Sequence, residues 1–146
     1  MKLRAFGPVF DAFLLNVDAL GGPPRAWRPV VEPPCTRHWE MFFGIFMPLP
    51  GYRQGAITTD EKLVAYARLH RIGNTARYAE FMGHGRYFSD GVMMLLQCGL
   101  VESLLDARHA WASDVRYVTY GAIEQGSAGL AFWKRKALFM PHMVME

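Results

Sequence analysis

YFSDGVMMLLQCGLVESLLDAR, residues 87–108, sets Phe88, Val92, Leu95, Leu96, Leu100, Leu104 and Leu105 at steps of three and four. That is the spacing of one helical face, so the run predicts a long amphipathic helix from Tyr87 to Arg108. Downstream, Val115–Tyr120 alternates as a strand does around Tyr117 and Tyr120, and Gly121 breaks it. Gly126-Ser127-Ala128-Gly129-Leu130 reopens a helix that runs through Trp133 and Lys136, with Pro141 barring further extension. Upstream, an Asp60-Glu61 turn leads into Lys62–Arg71, where Leu63, Ala65, Ala67 and Leu69 fall on one face of a strand. Gly73-Asn74 connects it to a second strand, Thr75–Met82, and the pair reads as a hairpin. The order is strand–strand–helix–strand–helix–strand. It predicts an α/β (α+β) fold with a mixed, mostly antiparallel sheet flanked by helices.

Nearer the N-terminus, Thr36 is a candidate N-cap for a helix over Arg37–Met47, with Glu40 near its start. Trp39, Phe42, Phe43 and Phe46 would share one side of it, and Pro48-Leu49-Pro50-Gly51 would end it. Phe42, Phe43, Phe46, Tyr66, Tyr78 and Phe81 are expected in the core, where aromatic residues usually lie. Gly21-Gly22-Pro23-Pro24 and Glu32-Pro33-Pro34 bracket a segment that holds no regular helix. Residues 1–20 therefore read as a separate apolar strand or helix. Together with the Pro-rich arm they make residues 1–35 an appendage of a single domain spanning 1–146.

Length and composition narrow the class further. A chain of 146 residues buries a sufficient core without disulfides or metals. At 51% hydrophobic and 20% charged residues it is globular rather than disordered. Cys35 and Cys98 have no metal-ligand spacing, and a reduced, cytoplasmic protein is the expectation. Asp11, Asn16 and Asp18 interrupt the apolar run after Lys2 and Arg4, which argues against a signal peptide. No stretch reaches the roughly 18 apolar residues of a membrane span, so no membrane association is expected. A net charge of +3 does not favour strong nucleic-acid binding.

Leu63–Arg71, Ala76–Gly85, Gly91–Leu105 and Arg116–Pro141 together resemble the later part of a GCN5-related N-acetyltransferase domain. The FemAB-like branch is the nearer likeness, carried by Tyr117-Val118-Thr119-Tyr120-Gly121, Gly126-Ser127-Ala128-Gly129-Leu130, Trp133-Lys134-Arg135 and Leu138-Phe139-Met140-Pro141. The resemblance covers the order of elements from residue 36 to the end, and only the last of these runs is specific. It implies transfer of an acetyl or other acyl group from a CoA thioester, acetyl-CoA in the simplest case, to an amine. That acceptor would be a small molecule or a protein.

The chemistry such a site needs picks out particular residues. Backbone N–H groups at a helix start suit a pyrophosphate, because the helix dipole also favours negative charge there. His84-Gly85-Arg86-Tyr87-Phe88-Ser89-Asp90-Gly91 lies between a strand and the long helix. Gly85 and Gly91 allow close backbone approach, and Arg86 is suited to pairing with a phosphate. The family's turn is Gln/Arg-x-x-Gly-x-Gly/Ala, whereas here Gly91 alone fits, Met93 takes the final small position and Asp90 adds a negative charge. The same turn also fits an ordinary strand-to-helix connection with Ser89 or Asp90 as N-cap. His84 is placed to act as a base or to hydrogen-bond a ligand. Glu124 is a second candidate base, and Tyr120 a candidate acid for the leaving thiolate. Lys134 stands where the family has its tyrosine.

Two other readings stay open. No histidine pair has metal-ligand spacing, and neither a nucleophile elbow nor a Walker loop is present, so no metal site is expected. Lys134-Arg135-Lys136 beside Phe132 and Trp133, with Arg68, Arg71 and Arg77 on the hairpin, offers a basic and aromatic surface for nucleic acid. The alternative is a solvated helix face. A non-catalytic relative of the acyltransferases, working in assembly or binding, fits the poor glycine turn as well.

Overall fold

Gly73 takes a left-handed φ of +61°, which only glycine adopts cheaply, and a two-residue loop thereby sets Ile72 opposite Thr75. In this computed structural model, which describes residues 2–6, 35–54, 57–106, 109–121 and 126–141, that turn joins the two strands predicted around it. The strands are β1 (Lys2–Phe6), β2 (His38–Gln54), β3 (Ile57–Ile72), β4 (Thr75–Gly83) and β5 (Tyr117–Thr119). Helix α1 (Val92–Leu105) lies between β4 and β5, and α2 (Ala128–Lys136) follows β5. One sheet in the order β1-β2-β3-β4-β5 results, antiparallel through β4 and parallel between β4 and β5. The fold is thus mixed α/β with a mixed, mostly antiparallel sheet.

The helix expected over Arg37–Met47 is instead the first part of β2. Trp39, Met41, Phe43 and Ile45 belong to one buried cluster, while Phe42 and Phe46 are buried outside it. A strand paired on both sides with apolar residues on both faces loses its alternation, and its aromatic spacing then imitates a helical stripe. Pro48-Leu49-Pro50-Gly51 does not end the element. The β2–β3 register shifts between Pro48 and Tyr52, where Gly51 has φ +69° and donates its N–H to Asp60 Oδ1 at 3.1 Å. β1 pairs only with Phe42–Phe46, so both prolines lie where no third strand needs an N–H. Asp60-Glu61, expected as a turn, sits within β3.

The other boundaries differ more modestly. A 3-10 turn, Gly85–Tyr87, precedes α1, which begins at Val92 rather than Tyr87 and ends at Leu105. Ala107 and Arg108 lie outside the described residues. β5 is shorter than Val115–Tyr120, and α2 stops well before Pro141, at a left-handed Leu138 (φ +62°). No strand follows α2 among the described residues. Lys2–Phe6 makes the first element a strand, and the rest of 1–34, the Pro-rich arm included, lies outside them.

Val92, Leu96, Leu100 and Leu104 of α1 press on the sheet beside Phe43, Ile45, Ala67, Leu69 and Tyr78. Full burial of a leucine such as Leu96 or Leu100 contributes about 1.5–3 kcal/mol. One charged group shares this interior. Arg71, 2% exposed, donates to the carbonyls of Gly73, Trp111 and Ser113, each at 2.7 Å. Trp39 Nε1 donates to the same Trp111 carbonyl at 2.9 Å. These bonds fasten the loop before β5 onto the β3–β4 turn. No helix among the described residues is long and apolar enough to cross a membrane.

Candidate functional site

The sheet opens where β4 and β5 part. Their register runs from Thr75↔Tyr117 to Arg77↔Thr119 and stops, while β4 continues alone to Gly83. The near ends are held by Arg71 and by Arg116 and Tyr117, whose N–H groups both donate to the Asn74 carbonyl at 2.8 and 3.2 Å. A register shift in β3–β4, which skips Ala79, turns β4 as it leaves its neighbour. Ligand crevices in open sheets form outside the carboxyl ends of parallel strands, which is where β4 delivers its turn.

That turn gathers four of the six residues expected at the site. His84 is extended, and its Nδ1 accepts the Arg86 N–H at 3.3 Å. The N–H groups of Tyr87 and Phe88 donate to the carbonyls of His84 and Gly85, closing the 3-10 turn. Gly91 then takes φ +72° and is itself the N-cap of α1, with no side-chain cap. Neither Ser89 nor Asp90 caps the helix. Their side-chain oxygens lie 3.5 Å from each other. The first N–H groups of α1 therefore lack a side-chain acceptor, as an anion site requires.

Glycine is needed at only some of these positions. Gly91 needs its positive φ, but Gly85 has ordinary backbone and open space around it. The tight position is Gly83, which the sequence did not single out. A Cβ there would collide with the Met93 thioether and come within 2.8 Å of Phe88 Cε1. Met93, bulky where the resemblance wants a small residue, is accommodated because β4 ends in glycine.

The structure also brings in a cation that the sequence reading passed over. Lys62 Nζ lies 5.3 Å from the Tyr52 ring and 5.5 Å from the Tyr87 ring, and the His84 ring packs edge-on against Tyr87 at 5.3 Å. Burial, followed by the charges of Lys62 and Arg86, holds the His84 imidazole below its ordinary pKa. Lys62, His84 and Arg86 thus form one basic group at the start of α1. Lys62 was legible as a strand residue. Its place beside this turn depends on a β2–β3–β4 register that no local pattern gives.

Tyr120 stands apart from that group. It follows β5 in a cluster of rings with Tyr78 at 5.4 Å, Phe81 at 5.7 Å, Trp133 at 6.0 Å and Phe139 at 5.9 Å. Burial pushes its phenol up, so it stays protonated. Lys134, 4% exposed, sets its ammonium 4.8 Å from the Tyr120 ring. It is therefore not part of a solvated basic helix face. On the hairpin, Arg71 is buried and Arg68 pairs with Glu40 at 3.3 Å and Glu80 at 2.9 Å. The basic surface suggested for nucleic acid is to that extent spent on internal contacts. Glu124 lies outside the described residues.

Cys35 and Cys98 are both free and exposed. No group of three or more His, Cys, Asp or Glu side chains suited to a metal occurs among the described residues. Neither a family model nor any curated protein matches this chain.

Proposed function

We propose that the chain binds a CoA thioester at the β4–α1 turn and transfers its acyl group to an amine, as a GCN5-related acyltransferase would. One observation carries the reading. Lys62, His84 and Arg86 converge on an uncapped helix start beyond the carboxyl end of a parallel strand pair that has just opened. A pyrophosphate placed there meets three basic side chains and the first N–H groups of α1, against the single opposing charge of Asp90.

The histidine's hydrogen bond defines its role. Its Nδ1 accepts from Arg86, so the neutral ring carries its proton on Nε2 and acts as a donor toward a phosphate or thioester oxygen. In acyl transfer the amine attacks the thioester carbonyl, the C–S bond breaks, the amine's proton passes to solvent and the departing thiolate gains one. Tyr120, protonated at neutral pH, is the donor to that thiolate. The acceptor is a small-molecule or protein amine, and the setting is the cytoplasm.

Calorimetric titration with acetyl-CoA and desulfo-CoA tests the site, repeated on Lys62→Glu and Arg86→Ala. Micromolar binding that both variants weaken at least tenfold supports it. Absence of heat at millimolar ligand overturns it. A second reading, binding without chemistry, is favoured by the enclosure of the Tyr120 ring among Tyr78, Phe81, Trp133 and Phe139. Thiol release from acetyl-CoA in the presence of an amine panel separates the two.

A further inference from the structure

Along α1, away from its start, the outer face of the helix and the chain leaving α2 enclose a groove of about 650 Å³. That volume is in the range of small-molecule sites. Met94, Val101, Leu105 and Leu138 give it an apolar lining, and Leu105 and Leu138 are 79% and 84% exposed. An apolar groove alone specifies no occupant, but two polar features do.

The first is Gln97. Its side chain lines the groove although the residue is only 6% exposed. Tyr78 donates its hydroxyl to Gln97 Oε1 at 2.7 Å, and burial pushes that phenol up, so the donor persists at every physiological pH. With its oxygen committed, Gln97 presents the NH₂ end, which has no partner among the described residues. A nearly buried amide donor without an acceptor favours a ligand that brings one. The second feature is charge. Glu102 and Asp106 line the groove against the single cation Lys136, so the lining carries more negative than positive charge.

We infer that this groove is a binding site for a small amphiphile with an aliphatic body and an uncharged carbonyl, such as a fatty amide. The chain lies along Met94, Val101, Leu105 and Leu138. The carbonyl oxygen accepts from Gln97 Nε2, and Glu102 disfavours a carboxylate head. The site is separate from the β4–α1 turn, and it stands or falls independently of acyl-CoA binding there.

Cys98 lines the same groove and supplies the readout. In Cys35→Ser protein, alkylation of Cys98 by iodoacetamide is followed with octanamide or octanoate added below micelle formation. Octanamide is expected to protect Cys98, with octanoate roughly fivefold weaker, as one repulsion of about 1 kcal/mol gives. Gln97→Glu still accepts from Tyr78 but offers no donor, and it should weaken octanamide about tenfold. Glu102→Gln should narrow the preference over octanoate, and Val101→Trp, at a partly exposed position, should block both ligands. Equal protection by the two ligands, no protection by octanamide, or binding unchanged in Gln97→Glu at wild-type thermal stability overturns the assignment.

Discussion

Arg71 is the side chain whose loss should be felt furthest from its own position. Its guanidinium holds three carbonyls in an interior that burial makes unfavourable for its charge, and the pKa is drawn down accordingly. Arg71→Met should destabilise by about 3 kcal/mol, read from urea denaturation, because buried acceptors are left without donors. At Gly83 the issue is space. Gly83→Ala must displace Met93 and should cost about 1–3 kcal/mol, while Gly85→Ala, with nothing near its Cβ, should stay within about 0.5 kcal/mol. His84 has a sign that titration can check. Its folded pKa lies below 6.5, so the stability gained from its neutral form is complete above that pH. That stability is lost as pH falls through the depressed value. Proton NMR should show the pKa of His84 rising in Lys62→Gln, and the acid loss of stability should diminish in His84→Gln.

At the scale of elements, the irregular end of the β2–β3 hairpin rests on one side chain. Asp60→Ala removes the acceptor for the Gly51 N–H and should speed amide exchange at Tyr52 and Arg53 while leaving Phe43 and Ala67 protected. This region also shows what the sequence conceals. Lys62–Arg71 and Thr75–Met82 alternate cleanly, and Val92, Leu96, Leu100 and Leu104 repeat at helical steps, so both hairpin strands and α1 were legible. Ser127 accepts the Leu130 N–H at 3.3 Å, which fits the start read for α2. β2 was not legible, because burial on both faces erases the alternation that distinguishes a strand. In the candidate site, His84, Arg86 and Gly91 could be read from a strand–turn–helix pattern. Lys62 and Gly83 could not, since their roles exist only once β3 and β4 are in register and Met93 has a place to pack. The aromatic cluster around Tyr120 was hidden for the same reason.

For the whole molecule, the pairing pattern has a consequence in time. β2, β3 and β4 are joined by connections of a few residues, and their ladder closes small loops, each at low entropic cost. β5 must wait for α1 to cross, and β1 pairs with a strand that begins only at His38. The meander should therefore assemble first, with the two edge strands joining later in separate steps. Native-state hydrogen exchange would register this as lower protection for Leu3–Phe6 than for Ala65–Leu69. An edge strand that joins late is also one that leaves early. The β1 flank of the sheet would then be the first to open under thermal stress, exposing the backbone of Phe42–Phe46 while the opposite flank, clamped by Arg71, remains closed.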